Sequence, residues 1–180
     1  GKRYGIILTD ELSTDTEDRG RTGKSEIFAK ALSHLNNTTF IQCKRIDFSS
    51  QFALQKIRLS DKLVVMNDLP KGIPFDIFYN IVTDGIDVEK KNRDQYEVFA
   101  KVLMTTNTLP TGSGDSVKDR FVEFQFSNYF SVDHSPVDEF GNWFFSDEWT
   151  KEEWTSFYFE LFACCSMHLQ ELAKDRDRLS

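Results

Sequence analysis

Three cysteines and four prolines in 180 residues leave little with which to staple or stiffen this chain. Cys43 stands alone and Cys164 and Cys165 are adjacent, which provides neither a disulfide framework nor the Cys-x-x-Cys spacing of a zinc site. Reduced, intracellular thiols are the expectation. His34, His134 and His168 show no metal-ligand spacing either. No apolar run approaches the ~20 residues of a membrane span, and no signal-peptide pattern opens the chain. Positive charge is in the minority: 22 Lys and Arg against 29 Asp and Glu give a net charge of −7. That balance argues against a uniformly basic nucleic-acid binder, although a ring of subunits can present a local basic loop to DNA while its outer faces stay acidic. Internal repeats and long low-complexity segments are absent as well.

What is present is enough length and enough apolar sequence, 39% of residues, for a substantial core. A domain of about 150 residues with a helical appendage is the natural expectation. The chain begins at Gly1 and runs almost directly into an apolar segment, as an excised piece of a longer protein would.

Function is written most clearly in Gly20-Arg21-Thr22-Gly23-Lys24-Ser25. Upstream, Tyr4 to Thr9 is a short β-rich apolar run; downstream, Ile27, Phe28, Ala31, Leu32 and Leu35 mark one face of a helix. The order is strand, loop, helix, where a phosphate-binding loop belongs. Backbone N–H groups at a glycine-rich turn and the first helical turn converge on anionic oxygens. Lys24 would neutralise the β- and γ-phosphates, and the Ser25 hydroxyl would ligate Mg²⁺. Glu26 completes the set of nucleotide-binding candidates with Gly20, Arg21, Thr22, Gly23, Lys24 and Ser25. A Gly-Lys-Ser triplet alone is a weak signal; the extra Gly20 and the flanking elements strengthen it. The loop departs from G-x-x-x-x-G-K-[ST] in one respect, since Asp18 stands in place of the first glycine. Gly20 is expected to supply the tight turn, beneath a polar surface loop from Asp10 to Arg19.

Further along, Thr38 to Phe48 reads as a strand and Phe52 to Ile57 as a short helix. Lys62 to Asp68 has four consecutive apolar residues before its polar end, the mark of a strand buried on both faces. In an open parallel sheet the carboxyl end of that strand faces the ligand crevice, so Asp68 would emerge beside the phosphates. Phe75 to Val82 reads as a helix. Ile86 to Glu89 and Tyr96 to Thr105 flank a polar tip containing Lys90, Lys91 and Arg93, a hairpin with a cationic end. Asn107 closes the second of these runs, and Arg120 heads an alternating strand through Phe126. Asn128 to Asp147 is aromatic, acidic and turn-like. Thr150-x-x-Glu153 is then a capping box opening a helix whose Trp154, Phe157, Tyr158, Leu161, Phe162, Cys165, Leu169 and Leu172 keep helical spacing. That stripe is expected to be packing surface. Two regions result: a core over residues 1–126 and, over 127–180, an acidic-aromatic connector with a helix packed on the core.

The phosphate loop, the Val-Val-Met-Asn-Asp strand end, the basic hairpin, Met-Thr-Thr-Asn and the Arg before the next strand follow one another in an order that resembles the superfamily 3 helicases. These are ATPases of AAA+ type found in replication proteins of viruses, phages and plasmids, and the likeness is strongest to the helicase part of primase-helicases. It covers roughly residues 5 to 126. The resemblance implies an α/β P-loop NTPase fold, a three-layer parallel sheet with a C-terminal helical extension. It implies ATP and Mg²⁺ as cofactors, single-stranded DNA as partner, and a homo-oligomeric ring, a hexamer, in the cytoplasm of a bacterial or host cell. A flanking primase or helical collar domain would lie outside this chain. Carried over by position, Lys24, Asp68, Asn107 and Arg120 are catalytic, with Asn107 orienting water and Arg120 acting as an arginine finger toward a neighbouring subunit. Ser25 and Asp68 hold Mg²⁺, and Lys90, Lys91 and Arg93 contact DNA. The family's second Walker B acid is missing, because Asn67 precedes Asp68.

Other readings remain beside this one. Arg120 could sit in an ordinary surface ion pair with Asp119 or Glu123, and charged hairpin tips are often only solvated. A small-molecule P-loop kinase would use the same loop but needs a lid with several arginines, which is not evident. A nucleotide-binding scaffold without turnover would be consistent with Asp18 and Asn67.

Overall fold

The computed structural model describes residues 4–11, 22–107, 119–131 and 133–179, with side chains through 174. Its centre is a five-stranded sheet of β1 (Gly5–Asp10), β2 (Thr38–Gln42), β3 (Leu63–Asn67), β6 (Lys101–Thr105) and β7 (Phe121–Phe126). The strand order is β2-β3-β6-β1-β7 and every pairing is parallel. A separate antiparallel hairpin pairs β4 (Ile86–Val88) with β5 (Tyr96–Val98). Because the sheet is parallel, all its carboxyl ends lie on one side. The chain leaves β1 for the far edge at β2 and later crosses β1 to reach β7, so β1 marks the point where connections diverge, a place where α/β sheets form a crevice.

Alternation along β3 and β1 divides the core. Val64, Met66 and Ile7 face one layer with Phe75, Phe78, Val82, Ile86 and Val98. Leu63, Val65 and Leu8 face the other with Ala29 and Leu103, against Phe28 and Leu32. The first layer carries a 3₁₀ turn over Phe75–Phe78 leading into α2 (Tyr79–Thr83). The second carries a helical segment wound as a π-helix over Lys24–Ala29 and continued as α1 (Lys30–Ser33). Burial of strands on both faces explains the uninterrupted apolar run at β3.

Three expectations need correcting. Residues 52–56 form successive turns and not a helix. The second strand ends at Gln42, where Cys43–Arg45 turns as 3₁₀. The run from Tyr96 to Thr105 is split between the hairpin and the main sheet.

Beyond the sheet, Ser135 caps the short α3 (Pro136–Phe140), and Gly141 ends it in the left-handed region at φ 79°. The long α4 (Lys151–Leu179) opens with the capping box read from the sequence. Glu153 accepts from the Thr150 N–H at 2.7 Å and hydroxyl at 2.8 Å, and the Thr150 hydroxyl accepts from the Glu153 N–H at 3.2 Å. Those hydrogen bonds hold the Glu153 carboxyl below its ordinary range. The helix meets the rest of the molecule through its first turns: Trp154 and Phe157 surround His34 with Phe145. Further along, Phe162, Leu169 and Leu172 are 73%, 64% and 46% exposed, so the apolar stripe is packed only at its start. Among the described residues no helix is long and apolar enough to cross a membrane.

Candidate nucleotide site

The carboxyl ends of β1, β3 and β6 and the start of the first helix surround a cleft of about 490 Å³, lined by Lys24, Ser25, Lys44, Asp68, Asn107 and Trp143 among others. That volume is in the range of small-molecule sites. Gly23 stands at the helix entrance with φ 90°, a left-handed conformation that a β-carbon disfavours. A β-carbon there would also lie 2.5 Å from Ile27 Cδ1. The Gly23 carbonyl accepts the Ile27 N–H at 2.7 Å, which ties the turn to the helix it opens. Both features favour glycine at this point. The π-winding of Lys24–Ala29 is a geometry that recurs at functional sites.

Lys24 is 6% exposed, and a buried ammonium needs anionic or hydrogen-bonding partners. Its Nζ donates to Asp10 Oδ1, to Asn107 Oδ1 at 3.2 Å and to Thr22 Oγ1 at 3.4 Å. Thr22 Oγ1 donates to the same Asp10 oxygen at 2.5 Å. Among the described residues Asp10 Oδ2 is buried without a hydrogen-bond partner, and the contacts of this carboxylate to Lys24 and Thr22 run through Oδ1. Asp10 escaped the sequence reading, which treated it as the start of a surface loop. The available signal was its place at the end of the β1 apolar run, where a parallel strand points into the crevice.

A second network joins β3 to β6 and the helix. Asn67 Oδ1 accepts from Ser25 Oγ at 2.5 Å and from Thr105 Oγ1 at 2.8 Å, and Asn67 Nδ2 donates to Gln42 Oε1 at 3.2 Å. A side chain that accepts and donates at once suits this junction; a carboxylate in its place could not donate to Gln42. Thr105 Oγ1 in turn accepts the Asp68 N–H at 2.9 Å. That contact holds Asp68 at φ 55°, a left-handed conformation uncommon outside glycine and often found at functional sites. Asp68 faces Lys44, 3.6 Å away, and both side chains are substantially exposed. Lys44 had no sequence signal, because the 3₁₀ turn that presents it was read as strand. The neighbouring Cys43 thiol is pushed up to about 12 by burial first and by the Asp68 charge second, so it stays protonated and unreactive.

The structure therefore brings Thr22, Gly23, Lys24, Ser25, Glu26, Asp68 and Asn107 to one cleft. Glu26 pairs with Lys30 along the helix surface. Gly20, Arg21 and Asp18 lie outside the described residues. Arg120 is not in the cleft. Its carbonyl accepts the Gly5 N–H at 2.8 Å, at the amino end of β1, and its guanidinium lies 4.9 Å from the Tyr79 ring centre. With β1 running from Gly5 to Asp10, Arg120 and the cleft are at opposite ends of the strand. Lys90, Lys91 and Arg93 form the turn between β4 and β5, where the Arg93 N–H donates to the Lys90 carbonyl at 3.2 Å. Lys91 and Arg93 are exposed, and Lys90 Nζ folds back to 5.3 Å from the Tyr96 ring centre. Among the described residues no cluster of three or more His, Cys, Asp or Glu could hold a metal.

Residues 18–120 match the model of DUF5906, described as a family of unknown function. This chain belongs to that family. The match takes in Lys24, Asp68 and Asn107, whereas Ser131, Ser135, Pro136 and Trp143 complete the cleft from beyond it. No curated protein matches the chain. Among solved structures, the C-terminal region of NrS-1, in an A form without ligand, is similar with a TM-score of 0.51 at 17% identity. The likeness covers 86% of this chain and 33% of that one, so this chain spans about a third of its length. It is a likeness of fold.

Proposed function

We propose that this DUF5906 chain is the ATP-hydrolysing motor of a DNA helicase in a replication protein, built as a P-loop NTPase of AAA+ type. One observation carries the reading: a buried lysine, at the head of a helix entered through a left-handed glycine, shares a cleft with the acid that ends β3 and the amide that follows β6. The sheet order supports it. Strand β6 lies between β1 and β3, so Asn107 stands between the elements that carry Lys24 and Asp68.

Phosphoryl transfer asks an enzyme to position water in line and to stabilise charge spreading over the γ-oxygens. Lys24 Nζ would bind the β- and γ-oxygens, and the N–H groups following Gly23 would bind the β-phosphate. Asn107, already 3.2 Å from Lys24 Nζ, would orient the attacking water. Phosphate arriving at Lys24 meets an ammonium held by Asp10, and Asp10 with Thr22 fixes the direction in which that charge is presented. The donor set also suits Mg²⁺, which takes one or two protein oxygens and fills its shell with phosphate and water. Ser25 and Asp68 would hold it, and it would neutralise charge on the bridging phosphate oxygens. Arg120, remote from its own cleft, could serve only a nucleotide bound by a neighbouring subunit. An oligomeric ring would then couple assembly to turnover, and Lys91 and Arg93 at the exposed hairpin turn would grip single-stranded DNA through its phosphates.

The test is ATP hydrolysis with and without single-stranded DNA, for the unaltered chain and for Lys24→Ala. Turnover stimulated by DNA and reduced on the order of 10²–10³-fold in the variant is expected. Retained turnover in Lys24→Ala would sink the assignment. Tight nucleotide binding with no turnover under any condition would favour the scaffold reading, which the single acid of Asn67-Asp68 supports.

A further inference from the structure

Resting on the phosphate-site reading, we infer that Trp143 and Pro136 form the nucleobase subsite of the same cleft, so that the ligand is held as a whole nucleotide and not by its phosphates alone. Both residues line the cleft that contains Lys24 and Asn107, yet they come from the segment after the sheet, outside the phosphate-binding elements. Trp143 is unlike the aromatic residues around it. Phe144, Phe145, Trp149 and Trp154 contact one another, with ring centres 4.9–6.1 Å apart. Trp143 has no ring partner among the described residues and is 54% exposed.

A half-exposed indole retains much of its apolar surface in water, and a planar heterocycle laid on it would remove that surface at little conformational cost. Pro136 offers a second flat apolar surface, fixed in place because it opens a helix whose Ser135–Asp138 capping box is complete. Gly141, in the left-handed region, turns the chain between Pro136 and Trp143 and so allows both to reach one cleft. The cleft thus has the Lys24 ammonium from the head of the first helix and the Asn107 amide beyond β6, and in addition an unstacked indole. A nucleoside di- or triphosphate, anionic at one end and aromatic at the other, is the ligand class that satisfies both.

Calorimetric titration of ATP, ADP and inorganic tripolyphosphate into the unaltered chain, Trp143→Ala and Trp143→Phe tests this directly. Trp143→Ala is expected to weaken ATP and ADP roughly tenfold, the effect of losing one base–aromatic stack. Its affinity for tripolyphosphate should stay within about twofold of the unaltered chain, and Trp143→Phe should recover most of the nucleotide affinity. Quenching of tryptophan emission by ATP but not by tripolyphosphate, lost in Trp143→Phe, is the independent readout, because Trp149 and Trp154 remain as internal controls. Unchanged ATP affinity in Trp143→Ala would overturn the base subsite while leaving the phosphate site standing, as would an equal loss for tripolyphosphate. If none of the three ligands binds the unaltered chain, the phosphate-site reading fails and the base subsite with it.

Discussion

Val64, Val65 and Met66 in β3 have no solvent exposure, whereas Phe162, Met167 and Leu169 in α4 keep 73%, 66% and 64% of theirs. β3 is an uninterrupted apolar run, and α4 carries large apolar side chains at helical spacing. They differ in what lies opposite. β3 has neighbours on both edges and a packed layer on each face, all supplied by this chain. α4 finds such neighbours only around Trp154 and Phe157, where His34 and Phe145 meet it. Periodicity shows that an element has an apolar side; stability comes only from covering it. Folding energy is therefore concentrated in the sheet, and the cleft residues hang from the sheet's carboxyl ends.

The sharpest way to break this contrast is to truncate one leucine in each region. Leu103 is fully buried between β1 and β3, and Leu103→Ala should cost about 2–5 kcal/mol in denaturant unfolding. Leu169→Ala should change stability by no more than about 0.5 kcal/mol. Comparable losses would mean that the α4 stripe is covered in solution and that the two regions do not differ as described.

A smaller effect separates two glycines that share a left-handed backbone. At Gly141 a β-carbon would meet nothing within 4 Å, so Gly141→Ala carries only conformational strain, about 1 kcal/mol. At Gly23 the same change adds the collision with Ile27, and Gly23→Ala should lose about 1–3 kcal/mol and weaken nucleotide binding in the same titrations. Equal stability losses with unaltered nucleotide binding would show that the turn before Lys24 relaxes freely and does not shape the cleft.

How far the sequence spoke follows the same division. The strand before and the helix after Gly23, the doubly buried β3 and the Thr150 capping box were readable because each depends on neighbours within a few residues. Asp68 was readable by the rule that parallel strands deliver their carboxyl ends to one crevice, whereas Asn107 stood out through the family resemblance, its strand reading as part of the hairpin. Asp10 was not, since its tie to Lys24 joins residues 14 apart in sequence, and a lone acid after an apolar run looks like the beginning of a surface. Lys44 depends on a 3₁₀ turn that replaced the expected continuation of β2. The extent of α4 packing could not be read at all: an apolar stripe is the same string of letters whether or not something lies against it.

The finest test of the contrast is at the seam between the regions. His34 ends the first helix and lies 4.9 Å from Trp154 and 5.1 Å from Phe145, ring centre to ring centre. Its pKa is lowered from the ordinary 6.5, first by the partial desolvation of an imidazole that remains largely exposed and then by the positive charge of Lys30. The folded state thus binds the proton less readily than the unfolded chain, so stability must rise with pH across this range. The contribution is fully present above the unfolded pKa and is lost as pH falls through the lowered folded value. Tryptophan emission and thermal midpoint, followed from pH 7.5 downward, should therefore show the α4 seam loosening below about pH 6.5. His34→Gln should flatten that response while leaving the sheet-side cleft unaltered in nucleotide titrations. A midpoint that rises on acidification would mean that the rings attract the imidazolium more strongly than desolvation and Lys30 oppose it, and that the seam is held by charge and not by apolar packing.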